Sequence, residues 1–358
     1  MFFLVFPPAF VPPCTYHRIS IGFRAESEYG VLIVIRAFFA DKKWALWAYG
    51  GGLFLLSSLC TQVYMTVLIN EWYGGFYDML QKAQEHSIDD LWAGMWAFLK
   101  IAGPYVVIAT ITGYFTRLYA FAWREAITFN YIPRWRNVTV EIEGASQRIQ
   151  EDAFRFARIV ESLWLQIVRA ILTLAAFLPL LWALSDKVRL EWMMNIPHSL
   201  VWIAMATSGG GMLISWLVGI KLPGLEYNNQ KVEARFRKEL VYGEDDKSNH
   251  ALPETLTELF TGVRVNYRRL YLHYGYFDVW SNMYDQLIVL VPYVMMGPGL
   301  FSGTVTLGIL MQASNAFDKV HGSFALFINN WTTITELRSI HKRLREFEKN
   351  LDRHAMAV

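Results

Sequence analysis

Charge and cysteine are both scarce in this sequence. Charged residues make up only 18% of its 358 residues, whereas 54% are hydrophobic. A soluble domain has about 25% charged residues, so this chain has too little charge to cover its surface in water. Its two cysteines, Cys14 and Cys60, cannot form a disulfide framework and do not suggest a metal cluster.

A strong excess of one charge is also lacking. Lysine and arginine number 33 against 31 aspartate and glutamate residues, which gives a formal net charge of +2. Nucleic-acid-binding proteins and acidic tails show a marked imbalance instead, so we expect no nucleic-acid partner. The class of protein that fits this composition is a polytopic membrane protein, with the lipid bilayer as its partner.

Long stretches without charge support that class. A helix needs about 20 apolar residues to cross about 30 Å of hydrocarbon, and four stretches reach this length. The second has Lys100 near one end and the third contains Arg169, but the others are uncharged. The four run from Trp44 to Asn70, about Gly94 to Thr116, roughly Val160 to Ser185, and Ser199 to Ile220.

A fifth uncharged stretch, between Asp285 and Asp318, is too long for one comfortable crossing. Proline and glycine interrupt helices, and this stretch contains Pro292, Gly297, Pro298 and Gly299. We therefore predict a helical hairpin that is broken at these residues and has one span on each side. The predicted fold class is all-α, a polytopic membrane protein with six transmembrane helices.

Lysine and arginine are concentrated in alternate connections. Residues 1–43, 117–159, 221–280 and 319–358 contain five, seven, nine and seven of them, whereas the connections in between hold at most two. Because cytoplasmic loops carry the positive residues, the sequence predicts that both termini are cytoplasmic. The 71–93 connection, which has five acidic residues, should face outward.

The first 40 residues fit neither a membrane span nor a signal peptide. Residues 1–13 contain four prolines, and the apolar run at 31–40 is only ten residues long with Arg36 inside it, too short to cross a bilayer. We find neither the basic start nor the small-residue cleavage site of a signal peptide. We assign residues 1–43 to an irregular or interfacial N-terminal segment, and a truncated start would explain them equally well.

The two long basic connections are polar but consist mostly of good helix formers. Residues 117–165 and 221–280 contain few prolines or glycines that would break a helix. A connection of about 45 residues without structure of its own is uncommon in a compact domain. The sequence therefore predicts that the membrane helices continue well into the cytoplasm, turn and come back.

Several segments carry a resemblance to a known family. The longest is GIKLPGLEYNNQKVEARFRKELVYGEDD, at Gly219–Asp246. The others are EGASQRIQEDAFRFA (Glu143–Ala157), AFLPLL (Ala176–Leu181), NYRRLYLHYGYF (Asn266–Phe277) and the region Gly303–Glu348, which begins GTVTLG and ends INNWTTITELRSIHKRLREFE. Together they resemble the SbmA/BacA family of bacterial inner-membrane peptide-antibiotic transporters, from about residue 60 to residue 350. The six-span arrangement also resembles the transmembrane domain of an ABC exporter. The family usually has a further membrane helix before the first span, which residues 1–40 do not supply.

The resemblance implies a fold, a location and an activity. It implies a homodimer in the bacterial inner membrane, with an ABC-exporter-like membrane domain and no ATPase domain. It also implies proton-driven import of peptides such as microcins, bleomycin-like compounds and proline-rich antimicrobial peptides, rather than an enzymatic activity. The exporter-like domain then occupies residues 44–350, and residues 351–358 form a C-terminal tail.

ATP and metal ions are not expected to bind to this chain. A phosphate-binding loop needs the pattern G-x-x-x-x-G-K-[ST], and no Gly-Lys pair occurs in the sequence. His273, His321 and His341 are isolated and lack metal-ligand spacing, so we predict no cofactor and no metal. Two alternatives stay open: the membrane subunit of an ATP-driven transporter with a separate ATPase, and an envelope factor that affects lipid composition.

Proton coupling requires carboxylates that change charge near neutral pH because burial or a like charge raises their pKa. Glu226, Glu233 and Glu244 lie within about 20° of one another on a continuous helix. Glu143 and Glu161 would align in the same way on the third helix. These five residues are the proton-coupling candidates, a role that the resemblance favours because glutamates line a polar cavity in that family. The alternative is a solvated face whose carboxylates pair with neighbouring arginine and lysine side chains.

Two further sets of residues are candidate functional sites. Arg169 and Asp285 are charges near the hydrocarbon that could pair across helices, where an unpaired charge costs at least about 2.5–3.5 kcal/mol. The second set resembles the turn through which an ABC exporter meets its ATPase, and here it would stabilise a cytoplasmic gate. It consists of Gln147, Arg148, Glu151 and Asp152.

Overall fold

Helices form almost all of the chain that the structure, a computed structural model, describes. The description covers residues 34–140, 142, 144–187 and 197–355, and these ranges contain no strand. The prediction of an all-α protein is therefore confirmed. The long helices in these ranges are α1 Gly52–Gln81, α2 Ile88–Arg136, α3 Ala153–Lys187, α4 Ser199–Gly219, α5 Leu222–Asp245, α6 Pro253–Phe301, α7 Leu307–Asn329 and α8 Trp331–Ala355.

Four helical stretches of the described chain are long and apolar enough to cross a membrane. They are Leu46–Gln81, Ile88–Arg136, Ala145–Asp186 and Ser199–Asp245, and they cover the first four predicted spans in order, apart from Trp44 and Ala45 at the start of the first. The chain is therefore a multi-pass membrane protein. Helices α6 and α7, which contain the predicted hairpin, are not among the four, and α7 carries Asp318, Lys319 and His321 in its middle.

Helices α2 and α6 are much longer than a membrane crossing. Each has 49 residues, which is about 74 Å at 1.5 Å per residue and more than twice the thickness of the hydrocarbon. Helix α2 begins at a capping box, in which the Ser87 hydroxyl accepts from the Asp90 N–H and the Asp90 carboxylate accepts from the Ser87 N–H. The predicted continuation of the helices after the second and fourth spans is confirmed, because α2, α5 and α6 occupy those connections.

The predicted hairpin forms, but its turn lies beyond the predicted break. Helix α6 continues through Pro292 and Pro298 to Phe301, and the turn is made at Gly303, whose φ is +78°. Proline lacks only one backbone donor, and a neighbouring turn of helix still holds the chain: the Ser302 N–H donates to the Pro298 carbonyl at 3.0 Å. The glycine is required where the backbone becomes left-handed.

The start of α7, at the tip of the hairpin, is held by the end of α1. The Gly308 N–H donates to Asp78 Oδ1 at 2.7 Å, and the Leu307 N–H donates to Gln81 Oε1 at 2.8 Å. A Cβ atom at Gly308 would overlap the carbonyl oxygen of Gly74, so the two helices approach this closely only because position 308 is glycine. The first N–H groups of α7, which have no partner within the helix, are thereby satisfied.

Helix α7 is the central helix of the membrane bundle. It packs against α1, α3, α4 and α6, and its Phe317 lies in a buried apolar cluster with Phe177, Leu181, Leu200 and Met296. Each of these side chains is at most 3% exposed. In a membrane, van der Waals packing of this kind holds helices together, so the cluster fixes α7 in position.

A second apolar cluster joins the start of the described chain to its end. Phe38 and Trp123 stack with ring centroids 5.4 Å apart, and the same cluster contains Tyr131, Phe156 and Leu344. Residues 34–39 are helical and packed in this core, whereas residues 1–33 of the proposed N-terminal segment lie outside the described residues. The cluster binds α2, the start of α3 and α8 into one unit.

Helices α5 and α6 form an arm that extends from the bundle. The Phe236 and Phe260 rings are 5.5 Å apart, and the Glu239 carboxylate contacts His250 Nδ1 at 3.1 Å near the turn between the helices. Helix α5 packs chiefly along α6. The opposite side of α5 is consequently open in a single copy of the chain, with Tyr227 58% exposed.

Candidate functional site

The glutamates Glu226, Glu233 and Glu244 lie on one continuous helix. Helix α5 runs through Gly243 to Asp245, so the three carboxylates lie along one stripe. Glu226 and Glu233 are partly exposed and Glu244 is exposed. The neighbouring Glu239 contacts His250 instead, and none of the three carboxylates contacts a basic side chain within the described residues.

Of the other proposed glutamate pair, only Glu161 lies within the described residues. Glu143 lies outside the described residues, and the helical chain resumes only at Ala145, after Gly144, whose φ is +71°. Residues Arg148–Asp152 then form a π turn before α3, which shifts the register further. Glu161 itself is 5% exposed on α3, and its Oε1 atom has no hydrogen-bond partner among the described residues.

Arg169 reaches across helices, as predicted, but to an amide rather than to a carboxylate. Its Nη2 atom donates to Gln62 Oε1 at 3.0 Å, and Gln62 Nε2 donates to Thr112 Oγ1 at 2.9 Å. The hydroxyl of Thr112 is also hydrogen-bonded to that of Ser58. A polar chain thus links α3, α1 and α2 inside the apolar bundle, where interhelical hydrogen bonds stabilise packing.

Asp285 also pairs across helices, and its partner is His321. Asp285 Oδ1 lies 3.4 Å from His321 Nε2, and His321 Nδ1 lies 3.3 Å from the Tyr284 hydroxyl. The Tyr284 hydroxyl donates to the Thr207 carbonyl at 2.9 Å. Three helices, α4, α6 and α7, therefore meet in a hydrogen-bonded chain that contains an imidazole and a carboxylate.

The contact of His321 with Asp285 was not predicted from the sequence, although a signal was present. Asp285 and His321 lie 18 residues before and 18 residues after Gly303. Two antiparallel helices joined at that glycine bring such equally spaced positions together. The turn placed earlier, at Pro292–Gly299, would have paired Asp285 with another part of the chain.

A cavity of about 310 Å³ lies beside His321, between α1, α6 and α7. Its polar lining includes Tyr73, Tyr77, Asn315, Asp318 and His321. Asp318 is exposed, and no basic side chain pairs with it in the described part of the chain. A cavity of this size holds several water molecules, each of which occupies about 30 Å³ in the liquid.

The predicted gate or coupling turn forms an ionic network. Arg148 Nη1 lies 2.7 Å from Asp152 Oδ2, and Gln147 Nε2 donates to Glu151 Oε2 at 3.3 Å. Asp152 is 2% exposed in its side chain and also accepts two hydrogen bonds from Arg343 of α8, at 2.9 and 2.7 Å. The hydrogen bonds that Arg343 donates to the Asp152 carboxylate raise the pKa of the Arg343 guanidinium. The network fastens the turn to α8.

A second buried carboxylate lies further along α8. The Tyr131 hydroxyl donates to Glu348 Oε1 at 2.7 Å, whereas Glu348 Oε2 has no partner among the described residues. Burial raises the pKa of Glu348 to about 7, although the hydrogen bond from Tyr131 opposes the shift. On the same helix, burial and the nearby Arg345 lower the pKa of His341.

Comparisons with known proteins place the chain among membrane transporters. It is 26% identical over 320 residues to the inner membrane ABC transporter ATP-binding protein YddA of Escherichia coli (strain K12), an alignment that covers 83% of this chain and 56% of that protein. It is 23% identical over 354 residues to an uncharacterized ABC transporter ATP-binding protein of Synechocystis, covering 93% of this chain and 50% of the relative. ABC transporter D family member 2, chloroplastic, of Arabidopsis thaliana is 25% identical over 295 residues, which cover 77% of this chain and 39% of that protein.

The curated relatives and the family model differ in how much of their length this chain matches. The chain spans about half the length of the curated relatives it matches. A sequence model of the SbmA/BacA-like family, by contrast, matches residues 41–352, which include all of the long helices except the last three residues of α8. The chain therefore belongs to the SbmA/BacA-like family.

Proposed function

We propose that this chain is a secondary transporter of the bacterial inner membrane that imports peptides and peptide antibiotics, driven by the proton gradient. The substrates would be of the microcin, bleomycin and proline-rich antimicrobial types. The observation that carries this proposal is the match to the SbmA/BacA-like family over residues 41–352, on a bundle of long apolar helices.

A six-span, exporter-like subunit with cytoplasmic termini is part of the proposal. Four helical stretches have the length and hydropathy of spans, and the α6–α7 hairpin would supply the other two. Helix α7 has 23 residues, about 34 Å at 1.5 Å per residue, enough to cross the hydrocarbon. Its ionisable residues lower its hydropathy, and such residues are tolerated in a span that faces other helices or water.

The α5–α6 arm supports a homodimer. Helix α5 packs chiefly along α6, and its other faces lack a large packing partner in a single copy. A helix of such polar and mixed character gains stability mainly from tertiary packing, which a second copy of the chain would provide. An active species that is monomeric in lipid would contradict this part of the proposal.

ATP-driven transport with a separate ATPase is the second candidate. Its support is that relatives of the chain are called ABC transporter ATP-binding proteins. The turn around Arg148 and Asp152 is also fixed rigidly to α8, as a surface that receives a partner would be. In that case the peptide would move only when ATP and the partner subunit are supplied.

Uptake into proteoliposomes separates the two candidates. We expect a fluorescein-labelled proline-rich peptide to accumulate under an acid-outside gradient without ATP, and to stop accumulating when a protonophore collapses the gradient. Strict dependence on ATP and a second subunit would support the second candidate instead. Failure of the peptide to accumulate under either driving force would contradict both.

Glutamine substitutions test the stripe on α5. Replacing Glu226 and Glu233 together with glutamine removes their titration but keeps their size, so gradient-driven uptake should fall about tenfold or more if they relay protons. The matched control is the pair Glu254→Gln, Glu258→Gln, because both residues are exposed on the first turns of α6. Equal uptake by the two double variants would mean that the stripe is a solvated surface that relays no protons.

A further inference from the structure

We propose that His321 and Asp285 form a proton-binding site at the α6–α7 hairpin, which exchanges protons through the adjoining cavity. This inference rests on the proposed proton-driven transport and adds to it a site off the α5 stripe. It is carried by the hydrogen-bond geometry of the pair, its position along the hairpin and the cavity that reaches it.

The hydrogen-bond geometry requires a proton between the two side chains. The Tyr284 hydroxyl donates to the Thr207 carbonyl at 2.9 Å, and the tautomer that also satisfies its contact with His321 Nδ1 carries a hydrogen on Nδ1. The other ring nitrogen, Nε2, then faces the Asp285 carboxylate at 3.4 Å. Two bare acceptors would repel each other there, so either Nε2 or the carboxyl group must hold a proton.

The ionisable side chains around His321 belong to the helices that pack against it. Helix α6 contributes Tyr284 and Asp285, and α1 contributes the phenols of Tyr73 and Tyr77. Helix α7 itself carries Asp318 and Lys319, and α4 has no ionisable side chain. Between Glu161 and Asp186 the only charge on α3 is Arg169, whose guanidinium is bonded to Gln62.

Imidazole is suited to exchange such a proton because it changes charge between pH 5 and 8. When the proton leaves, a ring nitrogen lone pair and a carboxylate face each other across the contact between α6 and α7. Release therefore weakens the contact between these two helices, whereas binding restores it. The pair thus links proton occupancy to the packing of the hairpin.

The cavity gives the pair a route to water. The His321 side chain is 14% exposed and that of Asp285 is 56% exposed. Lining residues Met311 and Pro292 lie closer to Gly303 than His321 does, so the cavity extends from the pair toward the hairpin tip. That tip is predicted to face outward, the side from which an acid-outside gradient supplies protons.

Proton binding can be measured without peptide. Proteoliposomes of the full chain on a solid-supported membrane should give a transient current after a pH jump from 8 to 6. We expect His321→Gln and Asp285→Asn to reduce that current at least fivefold. The matched controls are His273→Gln and Asp278→Asn: His273 is bonded to the Arg269 carbonyl of its own helix, and Asp278 is exposed on α6.

Uptake of the labelled proline-rich peptide provides the second readout. Gradient-driven uptake should fall tenfold or more in His321→Gln and Asp285→Asn, while peptide exchange without a gradient stays within twofold of the unmodified protein. A thermal unfolding curve for each variant checks that it is folded, and the two substitutions lie on different helices, so one fold defect cannot account for both.

The outcomes separate this inference from the proposed function. Wild-type pH-jump currents and a wild-type pH profile of uptake in folded His321→Gln and Asp285→Asn would overturn the proton site. Currents that are lost in these variants, in a protein that accumulates no peptide under a gradient, would support the site and overturn the proposed transport. Loss of current in the His273→Gln control as well would also overturn the assignment to His321.

Discussion

The Asp152 network allows a quantitative test of how the turn before α3 is held to α8. Asn at position 152 keeps the size of the side chain but removes the charge that three hydrogen bonds share, one from Arg148 and two from Arg343. Removing one partner of a buried ion pair costs about 3–5 kcal/mol. The two guanidinium groups are 24% and 34% exposed and would recover part of their hydration. We therefore expect Asp152→Asn to lower the free energy of unfolding by about 2–3 kcal/mol.

A matched variant lies on α8 itself. Asp352 of α8 pairs with Arg134 of α2 at 2.7 Å, but these side chains are 51% and 28% exposed. An exposed pair contributes about 0–1 kcal/mol, so Asp352→Asn should change the free energy of unfolding by no more than that. Both substitutions remove one negative charge, so the difference between them isolates the effect of burial.

The free energy of unfolding can be measured by titrating the purified protein in mixed micelles with a denaturing detergent and following tryptophan fluorescence. A double-mutant cycle with Arg343→Met then gives the coupling energy between Asp152 and Arg343. A loss below 1 kcal/mol in Asp152→Asn, or a value equal to that of Asp352→Asn, would refute the reasoning. It would mean that the arginines regain water as easily as surface side chains do.

Three further predictions follow from individual side chains. The pKa of Glu348 is raised to about 7 in the folded protein, so its contribution to stability is present at pH 4.5 and is lost as pH rises through 7. Tm should therefore fall between pH 5 and pH 8, and Glu348→Gln should reduce that fall. An unchanged dependence of Tm on pH in the variant would contradict the raised pKa. Gly308→Ala should lower Tm and loosen the hairpin tip, because a Cβ atom there overlaps the Gly74 carbonyl, and slower hydrogen exchange at the tip than in the unmodified protein would argue against this. Gly211→Ala should displace the Tyr284 ring and reduce the pH-jump current more than Gly209→Ala, where a Cβ atom meets open space.

Much of the fold could be predicted from the distribution of apolar and charged residues. The all-α class and the first four apolar stretches follow from long runs without charge, such as Ser199–Ile220. A run of this length and composition fits only a buried or lipid-facing helix. The continuation of α2 beyond the membrane follows from the helix formers after Thr116. These features are local, so neighbouring residues are enough to determine them.

The position of the hairpin turn could not be predicted, because proline is an ambiguous signal. Pro292 and Pro298 remain inside α6, while Gly303 makes the turn. A shift of a few residues in the turn changes every pairing along the two helices. The contact between Asp285 and His321 could therefore not be predicted, because the predicted turn gave the wrong register between the two helices.

Long-range partnerships on the side of α8 were hidden for a different reason. Asp152 and Arg343 are separated by 191 residues along the chain, and nothing in the sequence fixes how α8 is rotated against the turn. Glu348 and Tyr131 meet in the same way over 217 residues. The residue types of the turn predict its position in the sequence, but only the tertiary structure shows that Arg343 holds it.

Pro292 has a consequence for the wall of the cavity. Because proline has no N–H group, the carbonyl of Ile288, four residues earlier, does not receive the usual helical hydrogen bond. Both residues line the cavity beside His321. At this wall, the main-chain carbonyl of Ile288 therefore lacks the N–H donor that it would have in a regular helix. Helix α6 is thus continuous in shape but lacks one main-chain hydrogen bond beside the cavity that extends from His321 toward the hairpin tip.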